Sequence, residues 1–78
     1  MEVEFKFETK EDRDKFMNMV DDKFSKDVYN LGNPTKTVHY LGYGESNNLL
    51  ARADLDKVTS VTDVRQLAEI LGGEVVKD

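Results

Sequence analysis

The chain has 78 residues, 38% of them hydrophobic, with 16 acidic against 11 basic side chains and a net charge of −5. A chain of this length buries only about 60–65% of its unfolded surface, which leaves room for one modest core, so we expect a single domain over residues 1–78. The absence of cysteine excludes disulfides and thiolate metal sites, and the negative charge opposes binding to phosphate backbones.

The first predicted element is a half-buried strand in the segment EVEFKFE (2–8). Its residues alternate strictly between apolar and charged, as in a strand with one face in the core. The predicted core face carries Val3, Phe5 and Phe7, and the other face carries Glu2, Glu4, Lys6 and Glu8.

A helix is predicted from about residue 10 to about residue 26. Thr9 stands in the N-cap position with Asp12 three residues later, in the spacing of a capping box. Apolar residues then recur at helical spacing, while charges of both signs interleave on the rest of the surface. Mixed signs are typical of a solvated face with ion pairs, whereas a mimic of nucleic acid needs a single sign. The apolar stripe is Phe16, Met17, Val20 and Phe24, with Met19 at its edge, and the solvated face includes Lys10, Arg13, Asp14 and Lys15.

The middle of the chain predicts a loop followed by a hairpin. The segment YNLGNPTK (29–36) concentrates asparagine, glycine and proline, which is typical of a loop, and we expect Tyr29 and Leu31 to be tucked beneath it. A second strand is predicted at residues 35–43 and a third at residues 49–55, joined by the turn GESN (44–47). In the third strand, Leu49, Ala51, Ala53 and Leu55 alternate with Leu50, Arg52 and Asp54.

The last predicted elements are a helix over about residues 61–71 and a short strand, EVVK, over residues 74–77. Ser60 is the predicted N-cap, with Asp63 three residues later, and Gly72 with Gly73 marks the end of the helix. The apolar stripe predicted for this helix is Val61, Val64, Leu67, Ala68 and Leu71.

The element order β-α-β-β-α-β predicts an α+β fold of the ferredoxin-like type. In that arrangement one four-stranded antiparallel sheet carries both helices on a single face, and the first and third strands lie in its centre. The similarity rests on element order and amphipathicity alone, so it predicts architecture and no chemistry.

The register of the predicted hairpin decides which side chains lie on the sheet face away from the helices, here called the open face. With GESN as a four-residue loop, Tyr43 lies opposite Asn48, and Tyr40 faces the core opposite Ala51. A loop longer by one residue would exchange the two faces and bury His39. We favour the first register, since burying a lone histidine without a partner is costly. It produces an open-face patch of His39, Leu41, Tyr43, Leu50 and Arg52.

The sequence predicts no catalytic, cofactor or metal chemistry. The glycines of GYGES (42–46) join two strands, whereas a phosphate-binding loop joins a strand to a helix N-terminus. His39 is the only histidine, and a general base needs an orienting acceptor and usually a nucleophile or a metal. The acidic residues lack the spacing of calcium ligands. We therefore expect no enzyme activity, no cofactor and no metal.

The expected function is protein binding. Leucine, tyrosine and arginine are common at the centres of interfaces, and the open-face patch combines them. We expect an inhibitor, regulator or adaptor that acts on a larger intracellular protein, of the kind found among bacterial and bacteriophage accessory proteins, or a chain that pairs with a second copy of itself.

The alternative function is a nucleic-acid-binding regulator that uses the open face. Proteins that bind RNA on such a sheet place stacking aromatics on the central strands, where this chain has Glu2 and Glu4. No apolar run approaches the ~18–20 residues of a membrane span, and residues 1–10 lack the order of a signal peptide, so we expect a cytoplasmic location.

Overall fold

The computed structural model describes residues 1–37 and 49–78 of the chain. These residues form a mixed α+β structure with a three-stranded antiparallel sheet and a separate two-stranded hairpin. A π-helical segment, Val20–Phe24, extends the first helix, and a 3-10 segment, Leu55–Lys57, follows the fourth strand. The strands are β1 (Glu2–Lys6), β2 (Lys26–Asn30), β3 (Asn33–Thr37), β4 (Leu50–Asp54) and β5 (Glu74–Lys77), and the α-helices are α1 (Lys10–Met19) and α2 (Val61–Ile70).

The three-stranded sheet has the order β4-β1-β5, so the first strand is central, as predicted. Strands β1 and β4 are antiparallel, with Val3 opposite Ala53 and Phe5 opposite Ala51. All four of these side chains are buried, which confirms the alternation predicted for both strands. Large residues on β1 therefore face small ones on β4, and the space above the alanines is left for side chains of the helices.

The core joins the inner face of this sheet to both helices. The ring of Phe16 on α1 lies between those of Phe5 and Phe7, at centroid distances of 5.2 and 5.1 Å. Aromatic pairs at such distances and tilted angles add to the free energy of burial. The buried hydrophobic residues are Val3, Phe5, Phe7, Phe16, Met17, Val20, Ala51, Ala53, Leu55, Val58, Val64, Leu67 and Ala68.

Both helices begin at the predicted N-caps. The Thr9 hydroxyl accepts a hydrogen bond from the Asp12 amide at 3.1 Å, and the Ser60 hydroxyl accepts one from the Asp63 amide at 3.3 Å. Each bond satisfies one of the amide groups that a helix N-terminus leaves without a partner. The two helix starts are therefore set by local hydrogen bonding that the sequence displays.

The C-terminus of α2 is a Schellman motif. Gly72 has φ +82°, and its amide donates to the Glu69 carbonyl at 3.0 Å. The Gly73 amide donates to the Ala68 carbonyl at 2.6 Å. Glycine adopts a positive φ without steric cost, so the predicted stop is confirmed together with its mechanism.

The end of the first helix differs from the prediction. The α-helix stops at Met19, and the chain continues as a π-helical segment through Phe24 before Ser25 becomes extended. The Ser25 hydroxyl donates to the Asp21 carbonyl at 2.6 Å, which occupies a carbonyl that a continuing α-helix would use. The predicted apolar stripe is confirmed, because Phe16, Met17 and Val20 are buried and Met19 and Phe24 pack against the core.

Two residues of the helices are placed differently from their predicted positions. Arg13, expected on the solvated face, is only 7% exposed, and its guanidinium pairs with Asp14 at 3.1 Å. A long arginine stem can cover apolar surface while its head group stays hydrogen bonded. Val61, expected in the core, lies at the first position of α2 and is exposed.

The predicted loop at residues 29–36 is wrong, because this segment forms most of the hairpin β2–β3. Residues 35–37 of the predicted second strand pair with β2, and residues 38–43 lie outside the described part of the chain. Within the described residues the main sheet therefore has three strands, and the four-stranded ferredoxin-like sheet is not confirmed.

Candidate functional site

Two highly exposed apolar side chains of the described residues lie at or beside the turn of the β2–β3 hairpin. Tyr29 is 76% exposed and Leu31 is 96% exposed, although both were predicted to lie beneath a loop. We call Tyr29, Leu31 and Gly32 the hairpin tip. Burial of these two side chains against a partner would remove a large apolar area from water.

The backbone of the hairpin tip is strained at a leucine. Asn30 pairs with Asn33, so Leu31 and Gly32 form a two-residue turn, and they have φ values of +55° and +85°. Positive φ at both central positions is the type I′ geometry, which favours asparagine or glycine at the first position. A leucine there costs about 1–2 kcal/mol relative to an unstrained backbone.

The base of the hairpin is fastened to the 3-10 segment and the residues after it. Ser25 forms a β-bridge with Val58, and the Thr59 amide donates to the Phe24 carbonyl at 2.6 Å. The Lys26 ammonium group donates to the Asp56 carbonyl at 3.1 Å. The hairpin is thus held at its base, and its strained tip is presented to solvent.

Pro34 affects the outer edge of this hairpin. It lies opposite Tyr29, one pair away from the closing Asn30 and Asn33 pair. In a two-residue hairpin the closing pair is hydrogen bonded and the next pair is not, so the missing amide of Pro34 faces away from β2. Addition of another strand to that edge of β3 would lack a hydrogen-bond donor there.

The open face of the main sheet carries the second candidate site. The structure places Leu50 and Arg52 of the predicted open-face patch on this face, opposite Lys6 and Glu4. The remaining patch residues, His39, Leu41 and Tyr43, lie outside the described residues, as does the hairpin register on which their orientation depends.

Arg52 is already used in ion pairs within the chain. Its guanidinium contacts the Glu4 carboxylate at 2.5 and 3.0 Å and the Glu2 carboxylate at 3.5 Å. Its side chain is partly shielded, and so is that of Glu4. A partner that binds Arg52 through a carboxylate would have to compete with Glu4, so this arginine contributes less to an interface than its residue type indicates.

An ionic cluster joins the start of β1 to the end of β4. The Asp54 carboxylate accepts a hydrogen bond from the Asp56 amide at 3.0 Å and pairs with the Met1 ammonium group at 3.2 Å. The Asp56 carboxylate also pairs with that ammonium group. The Asp56 amide and the ammonium group hold the pKa of Asp54 below its ordinary value, while Asp56 and Asp54 raise the pKa of the ammonium group.

A cleft of about 470 Å³ lies at the end of the sheet where β1 meets β5. Its described lining combines one lysine and two carboxylates with apolar side chains, and contains no hydroxyl, thiol or imidazole group. Lining residues include Lys6, Phe7, Glu8, Leu49, Glu74 and Val76.

Sequence reasoning missed the hairpin tip, although the signal was present. Leu31-Gly32 lies between the segments KDVYN and NPTKT, which are equal in length and pair residue by residue. A two-residue connection that ends in glycine is typical of a hairpin. The dense asparagine, glycine and proline residues obscured it, because they are equally common in loops.

In the ranges 1–37 and 49–78, no group of three or more histidine, cysteine or acidic residues is arranged to hold a metal ion, and no helix has the length and apolarity to cross a membrane. Comparison of the chain with models of known families, with curated proteins and with solved structures finds no match.

Proposed function

We propose that this chain is a non-enzymatic protein-binding module that inserts its hairpin tip into an apolar pocket of another protein. The observation that carries the proposal is Leu31, which is 96% exposed and held at a φ of +55°. The positive φ destabilises the isolated module, and burial of the exposed side chain in a partner would contribute about 1.5–3 kcal/mol to binding. Strained backbone of this kind clusters at recognition sites.

Tyr29 supports the same interpretation. It is 76% exposed beside Leu31 and is the described aromatic side chain nearest to the turn. Tyrosine combines an apolar ring with a hydroxyl that can donate a hydrogen bond at the rim of a pocket, and it is enriched among residues that dominate binding energy. Leucine at the apex and tyrosine beside it would form a compact anchor.

The open-face patch is proposed as a second contact surface. Leu50 is half-exposed on this face, and His39, Leu41 and Tyr43 are its expected neighbours. The intracellular partner would then be bound both by the hairpin tip and by the sheet, as suits an inhibitor, regulator or adaptor of a larger protein, such as a bacterial or bacteriophage accessory protein.

No observation favours nucleic acid as the partner. The described open face offers carboxylates on the central strand, and Arg52 is neutralised by Glu4 and Glu2. Binding to phosphates would have to overcome this arrangement as well as the net charge of −5.

The proposal is tested with Leu31→Asn. Asparagine followed by glycine fits the type I′ turn better than leucine, so this variant keeps the hairpin while removing the apolar anchor. The matched control is Ile70→Asn, because Ile70 is 79% exposed on α2 and its loss removes a similar apolar side chain elsewhere. Each tagged protein is used to capture partners from nuclease-treated extract of the source cells.

We expect a protein that is retained by the wild type and by Ile70→Asn and lost with Leu31→Asn. Equal retention by all three would show that the hairpin tip is not the contact element. A partner that the wild type captures from a parallel untreated extract but not from the nuclease-treated one would instead favour the nucleic-acid alternative. Leu50→Asp and Tyr43→Ala extend the test to the open-face patch, where we expect weaker retention with the fold intact.

A further inference from the structure

The outer edge of β5 is open to pairing with another strand. Strand β5 bonds to β1 on one side, and no described residue pairs with its other side. Val75 and Val76 are 44% and 47% exposed, which is high for valines in a strand. The unpaired amides and carbonyls of such an edge can template strand addition, whereas the outer edge of the β2–β3 hairpin lacks a donor at Pro34.

A register shift changes which side chains of β5 share a face. On β1, Lys6 lies opposite Glu74 and Glu4 lies opposite Lys77. Two residues separate Glu74 from Lys77 on β5, whereas only one residue separates Lys6 from Glu4 on β1. The extra residue is a bulge at Val75 and Val76. Directly opposed residues point to the same side of a sheet, so Glu74 and Lys77 both point to the open face. In a regular strand they would point to opposite faces.

We propose that a second copy of this chain adds antiparallel to β5 through a two-fold axis perpendicular to the sheet. Glu74 then lies opposite the partner's Lys77, Lys77 lies opposite the partner's Glu74, and Val75 lies opposite the partner's Val76. Such an axis keeps the open faces of the two copies on the same side of the joined sheet. This arrangement fits the pairing, because Glu74 and Lys77 both point to the open face. Two three-stranded sheets join into one continuous sheet.

Charge complementarity selects this arrangement over the parallel one. Antiparallel pairing matches both charged residues of EVVK with opposite charges, whereas parallel pairing would set glutamate beside glutamate and lysine beside lysine. Opposed pairs of opposite charge stabilise a sheet, and like pairs destabilise it. The segment is therefore complementary to its own copy and needs no other partner sequence.

The contact is small, so the dimer is weak. Stable dimers bury about 1,600 Å² in total, well above what two strands of four residues can provide. We therefore follow the mass of the full chain by sedimentation equilibrium from about 10 µM to about 1 mM, where weak contacts become populated. The wild type is expected to change from monomer to dimer within this range.

Charge reversal tests the register. In Glu74→Lys both copies carry lysine at each end of the strand, and in Lys77→Glu both carry glutamate, so each variant alone should dimerise about tenfold or more weakly than the wild type. An equimolar mixture of the two variants restores opposite charges at both positions. We expect the mixture to associate about as strongly as the wild type.

Since each variant also changes a charge beside β1, its thermal unfolding is followed by circular dichroism, and Lys6→Glu combined with Glu74→Lys restores the pair with β1 if needed. A wild type that stays monomeric to about 1 mM, or a mixture that does not regain association, would overturn the proposal. Leu31→Asn should dimerise normally, and loss of dimerisation in that variant would place self-association at the hairpin tip instead.

Discussion

Leu31 connects local geometry to the proposed function at the scale of one residue. Its backbone is held at positive φ by the two-residue turn, where asparagine is far better tolerated than leucine. We predict that Leu31→Asn raises the free energy of unfolding of the hairpin by about 1 kcal/mol. Hydrogen exchange of the β2 and β3 amides in the free protein would measure it, and faster exchange in the variant would contradict the assignment of strain.

Gly73 is required for a different reason, because a side chain there has no space. A Cβ atom would lie 2.5 and 2.7 Å from two ring atoms of Phe7 and 3.0 Å from the Ala68 carbonyl oxygen. The Phe7 ring is buried in the core and cannot move freely. We predict that Gly73→Ala lowers the free energy of unfolding by about 1–3 kcal/mol, measured by urea denaturation.

Gly72 provides the matched control for that prediction. A Cβ atom there meets nothing within 4 Å, and only its φ of +82° makes glycine favourable. Asparagine tolerates this conformation, so Gly72→Asn should be nearly neutral while Gly73→Asn is destabilising. Equal decreases in the free energy of unfolding of the two asparagine variants would show that backbone conformation, and not the contact with Phe7, requires glycine at position 73.

At the scale of elements, helices and strands were predicted correctly where the residues that determine them lie within a few positions of one another. Thr9 and Ser60 cap helices through side chains that act within three residues, and the buried strands alternate visibly. The β2–β3 hairpin lacks such alternation, because its exposed Tyr29 indicates no buried face and periodicity reports burial. Its one local signal, the glycine of Leu31-Gly32, is equally typical of a loop. The change from α-helix to π-helix at Val20 is also hidden, since Val20 and Phe24 lie four residues apart, a spacing that the α-helical pattern also contains.

The candidate site was predictable only in part for the same reason. Alternation in the third predicted strand placed Leu50 and Arg52 on the open face, where the structure has them. The pairing of Arg52 with Glu4 depends on the register between β1 and β4, which the sequence of either strand alone does not specify. The exposure of Leu31 could not be inferred, because leucine is ordinarily a buried residue.

The 3-10 segment makes the stability of the folded state depend on pH in the acid range. Its N-cap, Asp54, accepts a hydrogen bond from the Asp56 amide, and this contact, with the Met1 ammonium group, lowers the pKa of Asp54 from its ordinary 3.8. A carboxylate whose pKa is lowered by folding stabilises the folded state at pH values above its ordinary pKa. That contribution is lost as the pH falls through the lower pKa of the folded state.

We predict that Asp54→Asn makes the loss of stability in acid less steep. Asparagine can still accept the hydrogen bond from the Asp56 amide but does not titrate over this range. Urea midpoints measured from about pH 7 down to about pH 2 should decline less in the variant than in the wild type. Parallel declines in the two proteins would exclude Asp54 as a source of the pH dependence.

At the scale of the whole molecule, the core is small, so that a single buried aromatic residue contributes a large share of the total stability. A chain of 78 residues has a total stability of only about 4–12 kcal/mol. Phe16 is fully buried between Phe5 and Phe7, and Phe16→Ala is expected to remove about 3–5 kcal/mol of it.

We therefore predict that Phe16→Ala lowers the unfolding temperature by more than 10 °C or removes the cooperative transition altogether, as measured by circular dichroism; about 1 kcal/mol corresponds to roughly 4–8 °C in a domain of this size. Ile70→Ala is the control, because Ile70 is largely exposed and should be nearly neutral. A cooperative transition of Phe16→Ala at the wild-type temperature would mean that the contacts of this ring do not hold the core together.

The central position of β1 has a consequence for how the chain folds during synthesis. Residues 2–6 leave the ribosome early, yet their partners in the sheet are β4 and β5, at residues 50–54 and 74–77. Val3 and Phe5 therefore lack their strand partners until these later residues have been translated, and pairing at such sequence separation is slow. A nascent chain with an exposed apolar strand is a substrate for chaperones and for aggregation. The strand at the centre of the finished sheet is thus one that depends on protection while its partners are being made.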